Sequence, residues 1–419
     1  MKLKDDEKRM LQGQQGPTVQ KAMEFLVKIG EAYNAEDMVD ISGAHILSSQ
    51  ITDLIYNLTF EAIKGAKVKV PTSTHPLPFD LEAVKRMKQP DYFVEQAEKE
   101  VQRIKLLQQH LGILPTYTCM PHQFHNLRFG QHVAFTDSLV VPIANAWYGA
   151  RTNMETGLTS IMCAITGKTP DCGLHLTENR LGTVLIEVSP ELDVDNFDYA
   201  DYGAIAYWSG KIVVDGLPAL PVYKGLSPRV TLDHIKNMSL AHGWHSGVSM
   251  FHVVGVTPEA PTVEAAFGGK KPAAKFVFGK KEMQEACAEL SSAAEEKVDM
   301  VRLGCPHCGI QELAYIARLL DGRKVHNNTQ LVIATGRVIG EMAKRMGIIG
   351  EIENAGGVVL FDTCCNRVHQ VGLDSFVLAT SDAAPCLLCG FRNKGAVKVW
   401  FGKTADCINA AITGKWEAA

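Results

Sequence analysis

The apolar residues in the last third of the chain follow two alternating rhythms. Short apolar runs (VDMVRLG, TQLVIAT, GGVVLFD, SFVLATS, AVKVWFG) read as buried strands. Between them, KEMQEACAELSSAAEE, IQELAYIARLL, RVIGEMAKRMG and KTADCINAAITG space their apolar positions at helical intervals. Strands alternating with helices predict a parallel α/β layer. In such sheets ligands collect beyond the carboxyl ends of the strands. Cys305, Cys364 and Ser381 each fall just after a strand, so three separate turns can converge on one site.

The earlier part of the chain is less regular. TVQKAMEFLVKIGEAYNA carries Val19, Met23, Phe25, Leu26 and Ile29 at helical spacing, and DMVDISGAHIL reads as a short strand entering a polar turn. DLEAVKRM and DYFVEQAEKEVQRIKLLQQHLG read as helices, with Asp91 as N-cap and Gly112 as stop. Residues 115–180 are rich in Gly, Thr, Asn, His and Pro, the kind of polar irregular segment in which sites concentrate. Between Val194 and Gly225, Gly, Pro and aromatics predict short strands. LDHIKNMSLAHGWHSG reads as a helix, VSMFHVVGVTPEAPT as a strand entering a loop, and FGGKKPAAKFVFGKKEM as an exposed turn. A boundary near residue 285 divides the chain into an α/β region, 1–285, and an α/β domain, 286–419.

Composition narrows the class. The length of 419 residues allows roughly two to three domains. With 46% hydrophobic and 21% charged residues, the chain reads as a soluble globular enzyme. A net charge of -4 and no long basic tract speak against nucleic acid. The start, MKLKDDEKRMLQGQQGP, has no apolar core of a secretory signal, and no stretch is apolar enough to span a membrane. The expectation is a cytoplasmic protein whose 11 cysteines stay largely as thiols. Cys163, Cys172, Cys287 and Cys407 sit among small or apolar residues and read as packing.

The clustered cysteines admit several chemistries. CPHC (305–308) and CLLC (386–389) could form a four-thiolate zinc site, although they lie far apart for a zinc ribbon. One cysteine from each of three distant turns could hold an iron–sulfur cluster with one iron open to substrate. A thiolate nucleophile at the start of a helix is a third option, without a supporting His/Asp motif. Purely structural thiols are a fourth.

A collinear series of motifs now bears on the choice. RMLQGQQGPTVQKAMEFLVKIGEAYNAEDMVDISGAHI, PTYTCMPHQF, HVAFTDSLVVPIANAWYGARTNMETG, GKTPDCGLHLTENR, MFHVVGVTPEAPT, GCPH, DTC and ATS…VWFGKTADCINAAITG follow in order over nearly the whole chain. This series resembles the large, catalytic subunit of the two-subunit aconitase X enzymes, in the aconitase superfamily. The resemblance implies an aconitase-like multi-domain α/β fold with parallel sheets, and a hydro-lyase. Two activities belong to that family: dehydration of cis-3-hydroxy-L-proline and of 5-phosphomevalonate. It implies an iron–sulfur cluster, 4Fe-4S with 2Fe-2S as the alternative, held by Cys119, Cys305 and Cys364. It also implies a small swivelling subunit as partner in a heterodimer.

By the same resemblance, Arg151 in GARTN is the candidate carboxylate clamp, with Asn145, Thr152 and Asn153 as hydrogen-bonding neighbours. His175, Glu178, Asn179 and Arg180 form a second polar cluster, His175 being a catalytic candidate. Ser42 and His45 read as substrate-side residues. A serine alkoxide is the base in the wider superfamily, which makes Ser381 the candidate here, unless the base lies on the small subunit. Departures from the family pattern fall near the expected site: Met120 and His122 for Thr and Tyr, Asp137 near an expected acid, and Met154 for Arg. Cys308, Cys365, Cys386 and Cys389 are extra thiols that could also bind metal. Losing the cation at 154 favours a small unphosphorylated acid such as cis-3-hydroxy-L-proline. The reading from another class is a non-catalytic zinc- or iron–sulfur-binding protein on the same scaffold.

Overall fold

The computed structural model describes residues 1–47, 63, 65–77, 80, 91–364, 376–384 and 397–417. The expected helix at DLEAVKRM, apart from Asp80, lies outside the described residues, as do Cys365, Cys386 and Cys389.

The first part of the chain packs helices around a small parallel sheet. Helix α1 (Pro17–Ala32) opens with the proline that a first helical turn tolerates, and buries Ala22, Met23 and Leu26. Helix α2 spans Asp91–Leu111. Helix α3 (Gly157–Thr166) starts where the Thr156 side chain accepts the Thr159 N–H, and stops at Gly167. These helices share a core of Met23, Leu26, Leu111, Ile161 and Ile165 with strand β1 (Ala44–Ile46). β1 lies between β2 (Thr72–Thr74) and β3 (Ala134–Phe135), all parallel.

The middle of the chain departs from expectation twice. The segment predicted as short strands holds helix α4 (Tyr199–Gly210), capped by Asp198 accepting the Ala200 N–H. Most of α4 is buried, so it carries no amphipathic stripe for periodicity to reveal. The segment predicted as an exposed turn contains a strand, Ala274–Phe278, whose outward Lys275 and Val277 disguise it as surface. In chain order the strands here are β4 (Val184–Val188), β5 (Pro221–Lys224), β6 (His252–Val253) and β7 (Ala274–Phe278). They pair in parallel in the order β6-β5-β4-β7. Helix α5 (Leu232–Ala241) packs beside α4 and ends in a wider turn over His242–Ser246.

The last third contains the parallel layer that its rhythm predicts. Helix α6 (Lys280–Leu290) is shorter than expected, because Ser292 leaves it to hydrogen-bond with Val399. Five parallel strands follow: β8 (Met300–Leu303), β9 (Gln330–Thr335), β10 (Val358–Phe361), β11 (Phe376–Thr380) and β12 (Val397–Phe401). Their order is β10-β9-β8-β11-β12. Side chains alternate between the sheet faces. Val301, Leu303, Leu331 and Ile333 face helices α7 (Ile310–Leu320), α8 (Arg337–Arg345), α9 (Ile348–Asn354) and α10 (Thr404–Thr413). Met300, Val332, Ala334, Leu378 and Val399 join a core with α4, α5 and α6. Each fully buried Leu, Ile, Val or Met contributes about 1.5–3 kcal/mol by leaving water. The order reverses at β8: its crossover leads to β9 on one side, while β11 lies on the other. Such a reversal opens a crevice beyond the carboxyl ends of the two strands.

Candidate functional site

Three cysteine-bearing turns meet at His307. The Cys305 turn follows β8, and Gly304 enters it with φ 102, a left-handed conformation suited to glycine. Two residues on, the His307 backbone N–H donates to Cys119 Sγ at 3.2 Å. Its Nε2 hydrogen-bonds the Thr363 carbonyl, beside Cys364, at 2.9 Å. A carbonyl can only accept, so Nε2 carries the proton and Nδ1 is a bare lone pair. That Nδ1 is buried without a hydrogen-bond partner. Burial pulls the His307 imidazole down to about 4, so the ring is neutral at pH 7. Cys119 and Cys305 are buried, and Cys364 is partly exposed.

β2 and the residues after it tie these turns together. The Thr118 N–H donates to the Thr74 carbonyl, fixing the Cys119 turn. Leu77 pairs with Asp362 and Cys364, fixing the third turn. Cys308 is held differently from Cys305: its N–H and C=O bond Ala334 and Thr335, and it lies between the apolar cluster of Leu303, Leu313 and Ile316 and the small space that Cys305 also lines.

The other side of the crevice is the turn after β11. Asp382 accepts the Cys305 N–H at 2.9 Å and so joins the two turns. Burial pushes its carboxyl up to about 7, opposed by that amide. Ser381 is buried, and Thr404 Oγ1 donates to its Oγ at 3.3 Å. A small space of about 20 Å³ is lined by Cys305, Cys308, Ser381, Asp382 and Lys236 among others. Two open clefts flank the Cys119 turn. One, of about 270 Å³, runs past His122, Lys236 and His307. The other, of about 260 Å³, runs past Thr118, Gly336, Arg337 and Asp362, and Gln123 lines both. Arg337 lies just after β9, is about half exposed, and pairs with Asp362 at 3.0 Å. Like Cys305 it lies two residues past its strand, and Ser381 lies one past its own, a signal that strand-end reasoning could have used. His307, Lys236 and Asp382 were likewise missed; of these, only His307 lay inside a quoted motif.

The remaining expected residues form a second polar knot around His132. The Arg180 guanidinium is 1% exposed. It donates to both Glu259 carboxylate oxygens, to Asn145 Oδ1, and to the carbonyls of Leu174, Asn145 and Ala150. Asn145 also accepts the Thr152 N–H and donates to the Thr152 and Ser249 carbonyls. Thr152 Oγ1 donates to the Asn153 carbonyl, and Asn153 holds Cys172 and Leu174. Arg151 donates to the His175 carbonyl at 2.6 Å and to Thr177 Oγ1 at 2.8 Å. His175 Nδ1 shares a proton with His132 Nδ1 at 2.9 Å, and burial, then the neighbouring His132, pulls His175 down to about 3. Ser42 donates to the His132 carbonyl, Asn179 to that of Gly173, and Glu178 is exposed. These bonds clasp two irregular loops together, and they engage most of the polar groups expected to face a substrate.

His45 belongs to a third arrangement. Its Nδ1 and the Nε2 of His125 flank Ser73 Oγ at 2.8 and 2.9 Å, and burial holds His45 well below its usual range. His75 stands edge-on to His45 and pairs with Asp137 at 3.1 Å. The next residue back is Thr74, so this cluster adjoins the Cys119 turn through β2.

Comparison with known proteins identifies the family. Family models described as the aconitase X first, second and third domains match residues 1–178, 182–288 and 298–413. The phosphomevalonate dehydratase large subunit of Methanothermobacter thermautotrophicus is 36% identical, over 92% of this chain and 94% of that protein. The cis-3-hydroxy-L-proline dehydratase of Pseudomonas aeruginosa is 32% identical, over 97% of this chain and 69% of that protein. The crystal structure of Thermococcus kodakaraensis aconitase X in its holo-form superposes with a TM-score of 0.84 at 28% identity, covering 98% of this chain and 100% of that one. Among the described residues no helix is long and apolar enough to cross a membrane.

Proposed function

Because the chain belongs to the aconitase X family, we propose that it is a hydro-lyase that removes water from a small hydroxy acid. The convergence of the Cys119, Cys305 and Cys364 turns on His307 carries this reading. Three thiols from separate turns, with a buried unpartnered nitrogen beside them, suit an iron–sulfur cluster. Among the described residues no three His, Cys, Asp or Glu side chains close on a single ion, a demand that a cluster with its wider span does not make. Cys119, Cys305 and Cys364 would hold the cluster, which when bound supplies a Lewis acid for the departing hydroxyl.

The chain's own groups do the rest. Arg337, facing an open cleft, is proposed to hold the substrate carboxylate, with Arg151 as the other candidate. Arg151 also donates to the 175–177 loop. Ser381 Oγ, in the same small space as Cys305, takes the proton alpha to the carboxylate. His307 stays neutral and fixes the three turns at once. A small swivelling subunit covers the clefts and excludes water; relatives named as large subunits support it.

The proposed substrate is a cis-3-hydroxy-L-proline-like acid, because Met154 brings no charge to a half-exposed position. The phosphorylated hydroxy acid is the second reading, favoured by the relative at 36% identity. Anaerobic purification with and without the small subunit, followed by iron, sulfide and zinc analysis and by turnover of both acids, tests the proposal. Iron with sulfide and turnover of either acid supports it. Zinc without sulfide and no turnover would leave a non-catalytic metal-binding protein.

A further inference from the structure

We propose that the adjacent residues Lys236 and Asn237 are positioning residues that set the spacing between the Cys305 and Ser381 turns. Both belong to α5, in the middle of the chain, while both turns belong to the last third. Lys236 is 2% exposed and Asn237 4%. Lys236 Nζ donates to the His307 carbonyl at 3.0 Å, pairs with Asp233 at 3.1 Å, and bonds the Glu312 carboxylate. Glu312 in turn accepts the Gly309 N–H at 2.7 Å. The ammonium therefore grips the whole turn from His307 to the start of α7. Asn237 Nδ2 donates to the Ser381 carbonyl at 3.0 Å, and its Oδ1 accepts the Ala383 N–H at 3.1 Å. Consecutive side chains of one helix thus each hold one wall of the crevice. The Asp382 bond to the Cys305 N–H joins the walls directly.

A purely structural role explains this arrangement less well. Burying an ammonium with two carboxylates at a helix interface is unfavourable compared with apolar packing of the same volume. What the ammonium adds is a bond to one particular carbonyl, and Asn237 adds bonds to the Ser381 carbonyl and the Ala383 N–H. These bonds restrain the separation of the Cys305 thiol from the Ser381 hydroxyl, which share one small space.

The kinetic part of the test rests on the hydro-lyase reading; the thiol part does not. The full chain, free of metal and reduced, would be alkylated with iodoacetamide and followed peptide by peptide. Cys407, fully buried in α10, serves as the reference thiol. In folded K236M and N237L, Cys305 is expected to react about tenfold faster or more, with Cys407 at its wild-type rate. With the small subunit bound and substrate turning over, kcat falls by about tenfold while KM stays within about twofold. N237A, which removes both bonds without adding bulk or charge, gives a change in the same direction and guards against a leucine variant that does not fold. An unchanged Cys305 rate in the folded variants, or Cys305 and Cys407 rising together, overturns the proposal. A wild-type chain with no turnover would count against the hydro-lyase reading and leave the alkylation result to decide this one.

Discussion

Replacing Arg180 by methionine separates two roles for a buried arginine. The guanidinium binds both oxygens of Glu259, the Asn145 side chain and three carbonyls, and is 1% exposed. Methionine fills much of the volume but supplies no donor. Glu259, whose side chain is 16% exposed, would be left as a charge without its partner. Breaking a buried pair in this way costs about 3–5 kcal/mol. At about 2–4 °C per kcal/mol for a unit of 150–250 residues, the midpoint should fall by roughly 6–20 °C. R180M/E259Q should recover part of that loss, because the stranded charge is gone. Thermal unfolding by circular dichroism at fixed protein concentration measures both variants, and KM is compared at a temperature where both stay folded. A midpoint unchanged in R180M, together with a large rise in KM, would refute the argument. The guanidinium would then be contacting substrate rather than clasping the GARTN and GLHLTENR loops.

Other changes separate neighbouring roles. C305A should lose bound iron and sulfide while C308A retains both, because Cys305 and not Cys308 is among the three proposed cluster ligands; metal analysis of anaerobically purified protein decides it. G304A should lower the unfolding midpoint and the iron content together. Its Cβ would lie 2.3 Å from the Ala334 carbonyl oxygen at φ 102, and the left-handed conformation alone costs about 1–2 kcal/mol. E155Q should alter the pH dependence of stability. Burial pushes the Glu155 carboxyl from 4.5 up to about 7, so the folded state binds the proton more tightly than the unfolded one. Wild-type stability is therefore highest below pH 4.5 as far as this group contributes, and falls as pH rises through 7. E155Q should gain on wild type by up to about 3 kcal/mol above pH 7, with little difference at low pH, in urea titrations at a series of pH values.

The last third of the chain was legible because its strands and helices alternate with matching lengths. The helix at Ile310–Leu320 coincides with its predicted run. The middle was hidden for opposite reasons: α4 is buried nearly all round, and the Ala274–Phe278 strand shows one face to water. Among the site residues, Cys305 and Ser381 could be read from their place after strands. Cys119 could not, since it lies in an irregular turn held by Thr74, far away in sequence. Arg151, Asn145, Thr152, Asn153 and Arg180 are polar residues in irregular loops. Which partners such groups take depends on loops distant in sequence, and here Asn145, Thr152 and Arg180 hydrogen-bond one another while Arg151 reaches the 175–177 loop.

That distinction changes how the site is built. The His132 knot uses strong polar groups to hold loops that have little regular structure of their own. The cysteine turns are held differently, mostly by backbone bonds to strand ends and to β2, with the Cys119 thiol itself accepting the His307 N–H. The crevice between β8 and β11 with its flanking clefts is the proposed reactive part of this chain, and the GARTN and GLHLTENR loops are braced by their own hydrogen bonds.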